Sequence, residues 1–230
     1  MNKPLEILYK DEYLVAINKP HGLLVHQSSI ARNADEFAVQ LLRDQIGQRV
    51  YPAHRLDRKT SGVLLFALDK TTNQSLTQQF TDKTITKKYW AIVRGFAPDE
   101  LTIDYALRKD NGVLQDAVTK IKTVQRAEID LPFGKHSTSR YSLVEAEPIT
   151  GRMHQIRKHM AHILYPIIGD RPHGCNKQNK LWLEKFGMKT MLLHAHSLTF
   201  THPKSLEEIT LSAQPSEIFK EVTRLLNIEL

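Results

Sequence analysis

The stretch VLLFAL, Val63 to Leu68, constrains the fold of this chain more than any other feature. Side chains alternate between the two faces of a strand, so an apolar run without polar alternation has both faces to bury. At six residues the run is far short of the roughly 20 that cross a bilayer as a helix. It predicts a central strand covered on both faces. With 230 residues, 41% of them hydrophobic and 25% charged, the chain has the material for such a core without staples, in one domain.

Other periodicities fill in the neighbours of that strand. EILYKDEYLVAINKP reads as a hairpin of strands near 5–9 and 13–18 around a Lys10-Asp11-Glu12 turn, ended by Pro20 and Gly22. ADEFAVQLLRDQIG spaces Phe37, Leu41, Leu42 and Ile46 as a helix does, with Asn33 or Asp35 as its cap and Gly47 as its stop. Asp69 is placed to cap a helix over KTTNQSLTQQF, and TKKYWAIVRG is a branched and aromatic strand. Shorter strand signals fall near 101–105, 117–124 and 139–147. TGRMHQIRKHMAHIL returns to a helical period through Met153, Ile156, Met160 and Ile163, which predicts a helix starting just after Gly151. KLWLEKFG predicts a short helix, TMLLHAHSLTFTHP a long strand or strand pair, and SEIFKEVTRLLN a last helix capped by Ser216. The sum is an α+β fold with a mixed, mainly antiparallel β-sheet flanked by helices.

Charge and cysteine usage narrow the setting. A net charge of +7 and a pI near 9.4 favour a polyanionic partner through steering and counterion release. The single Cys175 has no partner for a disulfide or a CxxC zinc site, which fits a reducing compartment. With no signal-peptide core at the N-terminus and no spanning segment, the expectation is a cytoplasmic protein with no membrane partner.

Two basic clusters carry the residues capable of chemistry. HRLDRKTSG, residues 54–62, sets the carboxylate of Asp57 between Arg55 and Arg58, just ahead of the apolar run. A carboxylate so placed stays ionised and serves as nucleophile or base. The same charges also describe a salt-bridge cluster at the head of a strand, and the residues alone leave both readings open. In GRMHQIRKHMAH, Arg152 with His159 and Gln155 with His162 are seven apart and return to one helix face, with Arg157 between the rows. Arg157 then points either to a site or to solvent. His154, His159 and His162 do not form a zinc set, since helical sites use two histidines at i and i+4 while His154 and His159 diverge. His194 and His196 share a strand face. The expectation is no metal, and the absence of GxGxxG, P-loop and GxSxG patterns predicts no nucleotide cofactor.

The stretch HRLDRKTSGVLLFA resembles the signature of the RluA-type pseudouridine synthases, in which His-Arg-Leu-Asp is followed after two residues by Thr-Ser-Gly. NKPHGLLVH, KKYWAIVRG, PITGRMHQIRKHMAHILYPIIGD and LLHAHSLTFTHP occur in the family's order, so the resemblance spans nearly the whole chain. It implies one catalytic domain over 1–230, with no separate S4-like RNA-binding domain, needing no cofactor and acting as a monomer without protein partners. Within the family the likeness is greatest to the branch that acts on uridine 65 in the T stem of tRNA. A ribosomal RNA substrate and a non-catalytic RNA-binding or RNA-folding role are the alternatives, and a metal-dependent hydrolase would rest on the histidines alone.

The resemblance also implies roles. Asp57 matches the essential aspartate, acting by nucleophilic attack or by removing a ribose proton on the way to a glycal. Arg157 matches the arginine that holds that carboxylate's charge, and Tyr89 the tyrosine that stacks on the uracil and helps remove the C5 proton. Arg55 matches the residue that enters the RNA stack where the uridine leaves. His54, Arg58, Lys87, Lys88, Arg94, Arg152 and Lys158 are RNA-contact candidates from charge near the motifs.

Overall fold

The apolar run is the centre of a strand whose seven residues are all buried, β4 (Ser61–Ala67). The computed structural model describes residues 4–26 and 36–230, which fall into two compact units. The first holds residues up to Lys87 together with Ala195–Pro215, and the second holds Lys88–His194 with Ser216–Leu230.

In the first unit β1 (Glu6–Lys10) and β2 (Leu14–Lys19) form the expected hairpin, and β2 pairs antiparallel with β4 from Leu14↔Ala67 to Lys19↔Gly62. The turn between β1 and β2 is tied by Asp11, whose Oδ1 accepts from Tyr13 N and Leu14 N at 2.7 Å. A two-residue strand, β3 (Tyr51–Pro52), lies on β4, and β11 (Leu193–Thr201) pairs with β12 (Glu208–Ser212). Leu14, Ala16, Val63, Leu65 and Ala67 meet Leu76 of helix α2 (Lys70–Thr81) on one face. Val15, Ile17, Leu64 and Phe66 point to the other face, where they too are fully buried. Asp69 caps α2 as expected, accepting from Thr72 N at 2.8 Å. Helix α1 (Ala38–Ile46) ends at Gly47 as read, whereas its expected caps Asn33 and Asp35 lie outside the described residues. Phe37 holds the N-cap position with no side-chain bond.

In the second unit the strand order is β5 (Thr86–Arg94), β10 (Ser139–Pro148), β9 (Val118–Ile129) and β6 (Glu100–Asp104), in antiparallel pairs. A small hairpin, β7 (Leu107–Arg108) with β8 (Leu114–Gln115), stands apart from it. Helix α3 (Gln155–His162) covers one face, packing Ile156 and Met160 on Ala91, Val93, Val144 and Ala146. Helices α4 (Asn176–Phe186) and α5 (Glu217–Leu225) cover the other, through Trp182, Phe219 and Val222 against Ile92, Tyr141 and Leu143. Ser216 caps α5 as read, and α4 starts four residues before the segment KLWLEKFG.

Helix α3 departs from expectation at its start. His154 takes φ 56°, a left-handed conformation, so the helix begins at Gln155 and not after Gly151. Gln155 closes the approach: its Oε1 accepts from Arg152 N at 3.0 Å and Thr150 Oγ1 at 2.6 Å, and its Nε2 donates to Val118 O at 2.9 Å. Arg152 therefore precedes the helix, and the expected Arg152–His159 row does not exist. No helix among the described residues is long and apolar enough to cross a membrane.

Candidate active site

Asp57 sits in a turn at the head of β4. Thr60 N donates to Asp57 O at 3.0 Å, closing a four-residue turn that sends the chain into the buried strand. Gly62 fixes the entry: at φ +111°, any Cβ there would lie 2.2 Å from the carbonyl oxygen of Ala195. Asp57 itself is half-buried, while Arg55 and Arg58 are exposed. Arg58 Nε donates to Gly22 O at 3.0 Å, and Gly22 N donates back to Arg58 O at 2.8 Å, so the loop of residues 20–23 is laced to the aspartate turn.

A lysine that the sequence reading passed over organises this lacing. Lys19, at the end of β2, is fully buried. Its Nζ donates to Pro20 O at 2.9 Å, Leu23 O at 2.8 Å and Arg58 O at 3.3 Å, which uses all three protons of an ammonium. Burial pulls its pKa down to about 7 against the opposing pull of the Asp57 charge. His21 follows, driven down to about 4 by burial and then by the charges of Lys19, Lys59 and Arg58, so it stays neutral. His54 is neutral as well: burial, then the charge of Lys87, lowers it to about 3, and its Nε2 accepts from Leu65 N at 3.1 Å. That bond commits His54 to joining the turn to β4.

The second unit holds Tyr89 and Arg157. Tyr89 lies on β5 opposite Ala146 of β10, half-buried on the same sheet face that α3 covers. Arg157 is 5% exposed, so the solvated-face reading of this residue is overturned. Its Nε and one Nη donate to the two carboxylate oxygens of Asp170, both at 2.8 Å. This buried bidentate pair fixes the plane of the guanidinium. Asp170 also accepts from His173 N at 3.4 Å and follows Gly169, where φ is +81° and a Cβ would lie 2.0 Å from Thr190 O.

The remaining candidates divide by environment. Lys88 pairs with Glu145 at 3.0 Å, and Arg94 lies over the ring of Phe133 at 5.3 Å. Arg152 Nε donates to Asp116 O at 2.9 Å, and Lys158 Nζ reaches Arg108 O at 3.5 Å. Lys87 is half-buried at the end of the first unit. The helix histidines are engaged elsewhere: His154 bonds His173 at 3.0 Å, His159 bonds Thr119 Oγ1 and Tyr105 O, and His162 stacks on Tyr105.

The comparisons with known proteins give the class to which this α+β chain belongs. A family model described as RNA pseudouridylate synthase matches residues 13–162. The tRNA pseudouridine synthase C of Vibrio vulnificus is 43% identical over 229 residues, covering 95% of this chain and 94% of that protein. Its namesake in Haemophilus ducreyi is 46% identical over 219 residues, with 91% and 90% covered. The solved structure of human RNA Pseudouridylate Synthase Domain Containing 4 matches with a TM-score of 0.75 at 27% identity, covering 98% of this chain and 94% of that one. The chain belongs to the RNA pseudouridylate synthase family and is an isomerase of that class.

Proposed function

We propose that this enzyme converts uridine to pseudouridine in tRNA, at uridine 65 of the T stem. The observation that carries the reading is sustained identity of 43–46% to relatives named tRNA pseudouridine synthase C over most of both chains. In the reaction the bond from ribose C1′ to uracil N1 breaks, the base turns, and C1′ bonds to C5. The C5 proton leaves and N1 gains one, so the atoms balance without a redox partner.

Asp57 supplies the carboxylate, as nucleophile or as base toward the ribose. Tyr89 stacks on the uracil and assists loss of the C5 proton, and Arg157 is the cation that serves the carboxylate's charge. Arg55 fills the stack that the uridine vacates; its exposure and lack of an ion pair among the described residues support that role. Arg58, Lys87, Lys88, Arg94, Arg152 and Lys158 take phosphates, and His54 sits behind them as a support of the aspartate turn.

The test is to incubate the purified protein with total RNA from cells lacking it, label pseudouridine with carbodiimide, and map reverse-transcription stops. One new stop in the acceptor-side strand of the tRNA T stem is expected, and Asp57→Asn should reduce it by about 10²–10⁴-fold in rate while tRNA affinity is retained. A stop in ribosomal RNA alone would replace the substrate. A normal rate in Asp57→Asn would remove the aspartate from the chemistry.

A further inference from the structure

The β7–β8 hairpin and the residues before α3 line a cavity of about 390 Å³ in the second unit. Four cations face it, Arg108, Lys109, Arg152 and Lys158, against one carboxylate, Asp110. Among the described residues none of the four is in an ion pair. The side-chain bonds they make go to main-chain carbonyls: Arg108 Nη1 to Gly112 O at 2.6 Å, Arg152 Nε to Asp116 O at 2.9 Å, and Lys158 Nζ toward Arg108 O at 3.5 Å. Such bonds hold Arg108, Arg152 and Lys158 in place without neutralising them.

Beside this cluster stands an exposed aromatic pair. Tyr105, 46% exposed, stacks on His162 with ring centroids 3.6 Å apart and planes at 17°. His162 is one helical turn beyond Lys158, on the same face of α3. From beneath, buried His159 bonds Tyr105 O at 3.0 Å and Thr119 Oγ1 at 2.9 Å. Burial lowers the His159 pKa, so its ring is neutral and donates one bond while accepting the other. The stack is thus positioned before any ligand arrives. Fixed, unpaired cations next to a flat aromatic surface suit a nucleic-acid strand, whose phosphates take the cations and whose bases stack.

We propose that this groove is an RNA-contact surface of the enzyme, in which Arg108 and Lys109 of the hairpin, with Arg152 and Lys158, hold backbone phosphates of the substrate and the Tyr105–His162 pair receives one base. The inference rests on the reading that the substrate is RNA and adds to Arg152 and Lys158 a base-stacking pair and two hairpin cations, of which Tyr105, Arg108 and Lys109 lie outside the motifs that carry the family resemblance. Free polyphosphate offers the same anion chemistry, so the experiment separates the two.

The measurement is tRNA affinity as a function of salt for the intact enzyme and variants. Each phosphate contact removed lowers the slope of log affinity against log salt by about one, so Arg108→Ala/Lys109→Ala should lose about two. Lys109→Glu, at an exposed position, should act in the same direction with packing untouched. Tyr105→Ala should weaken binding by about tenfold to a hundredfold, and in turnover the loss should fall on KM far more than on kcat. An unchanged slope in the folded double variant, with pseudouridine formation intact, overturns the groove and leaves the proposed function standing. A reduced slope in a protein that forms no pseudouridine does the reverse. Tripolyphosphate that competes as tightly as tRNA would make this a free-anion pocket and overturn the RNA assignment.

Discussion

The Asp57 turn and the Arg157 helix are held by opposite means. Around Asp57 the fastening is main chain: one turn bond, a reciprocal pair between Gly22 and Arg58, and a lysine whose three protons end on carbonyls. Around Arg157 the fastening includes a buried carboxylate that faces the guanidinium at 2.8 Å. Carbonyl acceptors orient the loop that carries the aspartate without adding a charge to it. A bidentate ion pair fixes an arginine plane at the cost of burying two charges, and such a pair tolerates the loss of neither partner. One region is tied through neutral main-chain acceptors, the other through a buried ion pair.

That contrast is broken most severely by Asp170→Ala. With side-chain exposures of 6% and 1%, Arg157 and Asp170 are out of water, and removing the carboxylate takes a bidentate partner from a buried cation. Urea unfolding should show a loss of about 3–5 kcal/mol, with Asp170→Asn milder because one acceptor oxygen remains. If Asp170→Ala unfolds at the wild-type midpoint, the guanidinium is held by something other than this pair, and the contrast between the two regions fails.

A second prediction tests the lysine under the aspartate turn through pH. Lys19 has a pKa near 7 in the fold against an ordinary 10.5. Below pH 7 both states bind the proton and burial of the charge counts fully against the fold. Between about 7 and 10.5 the unfolded chain still holds a proton that the folded lysine has released, so this group makes the protein more stable as pH rises. The slope is at most about 1.4 kcal/mol per pH unit. Lys19→Met lacks it, so the wild-type stability relative to this variant should grow between pH 6.5 and 9.5 in urea titrations. A difference that stays flat would mean that the three carbonyls hold the ammonium charged throughout.

These two residues also mark where the sequence was legible. Strands β4, β5 and β10 and the caps Asp69 and Ser216 could be read because apolar runs, alternation and cap chemistry are local. The two-residue strands β3, β7 and β8 are too short for any period to register, and the start of α3 depends on a positive φ at His154 that no propensity announces. The Arg157–Asp170 pair joins positions 13 apart in different segments, so spacing gave no hint of it. Lys19 did leave a trace. It continues the Val15, Ile17 series on the buried row of β2, an odd place for a lysine and hence a sign of an internal role. For Asp57, local charge leaves two readings open, and the proposal of a catalytic role draws on the family motif rather than on the physics of nine residues.

The smallest effect sharpens the comparison from the cationic side. Lys88 pairs with Glu145 at 3.0 Å, but the two side chains are 42% and 27% exposed, so solvent screens the attraction and the pair contributes under about 1 kcal/mol. Lys88→Met should therefore move the urea midpoint very little. If Lys88 receives a phosphate, the same variant should lower the salt slope of tRNA binding by about one, an effect without a stability counterpart. The opposite result, a clear loss of stability with the slope intact, would make Lys88 a strut of the β5–β10 pair. It would then join Arg157 among the cations that a carboxylate partner fixes, on the residue next to Tyr89 in β5.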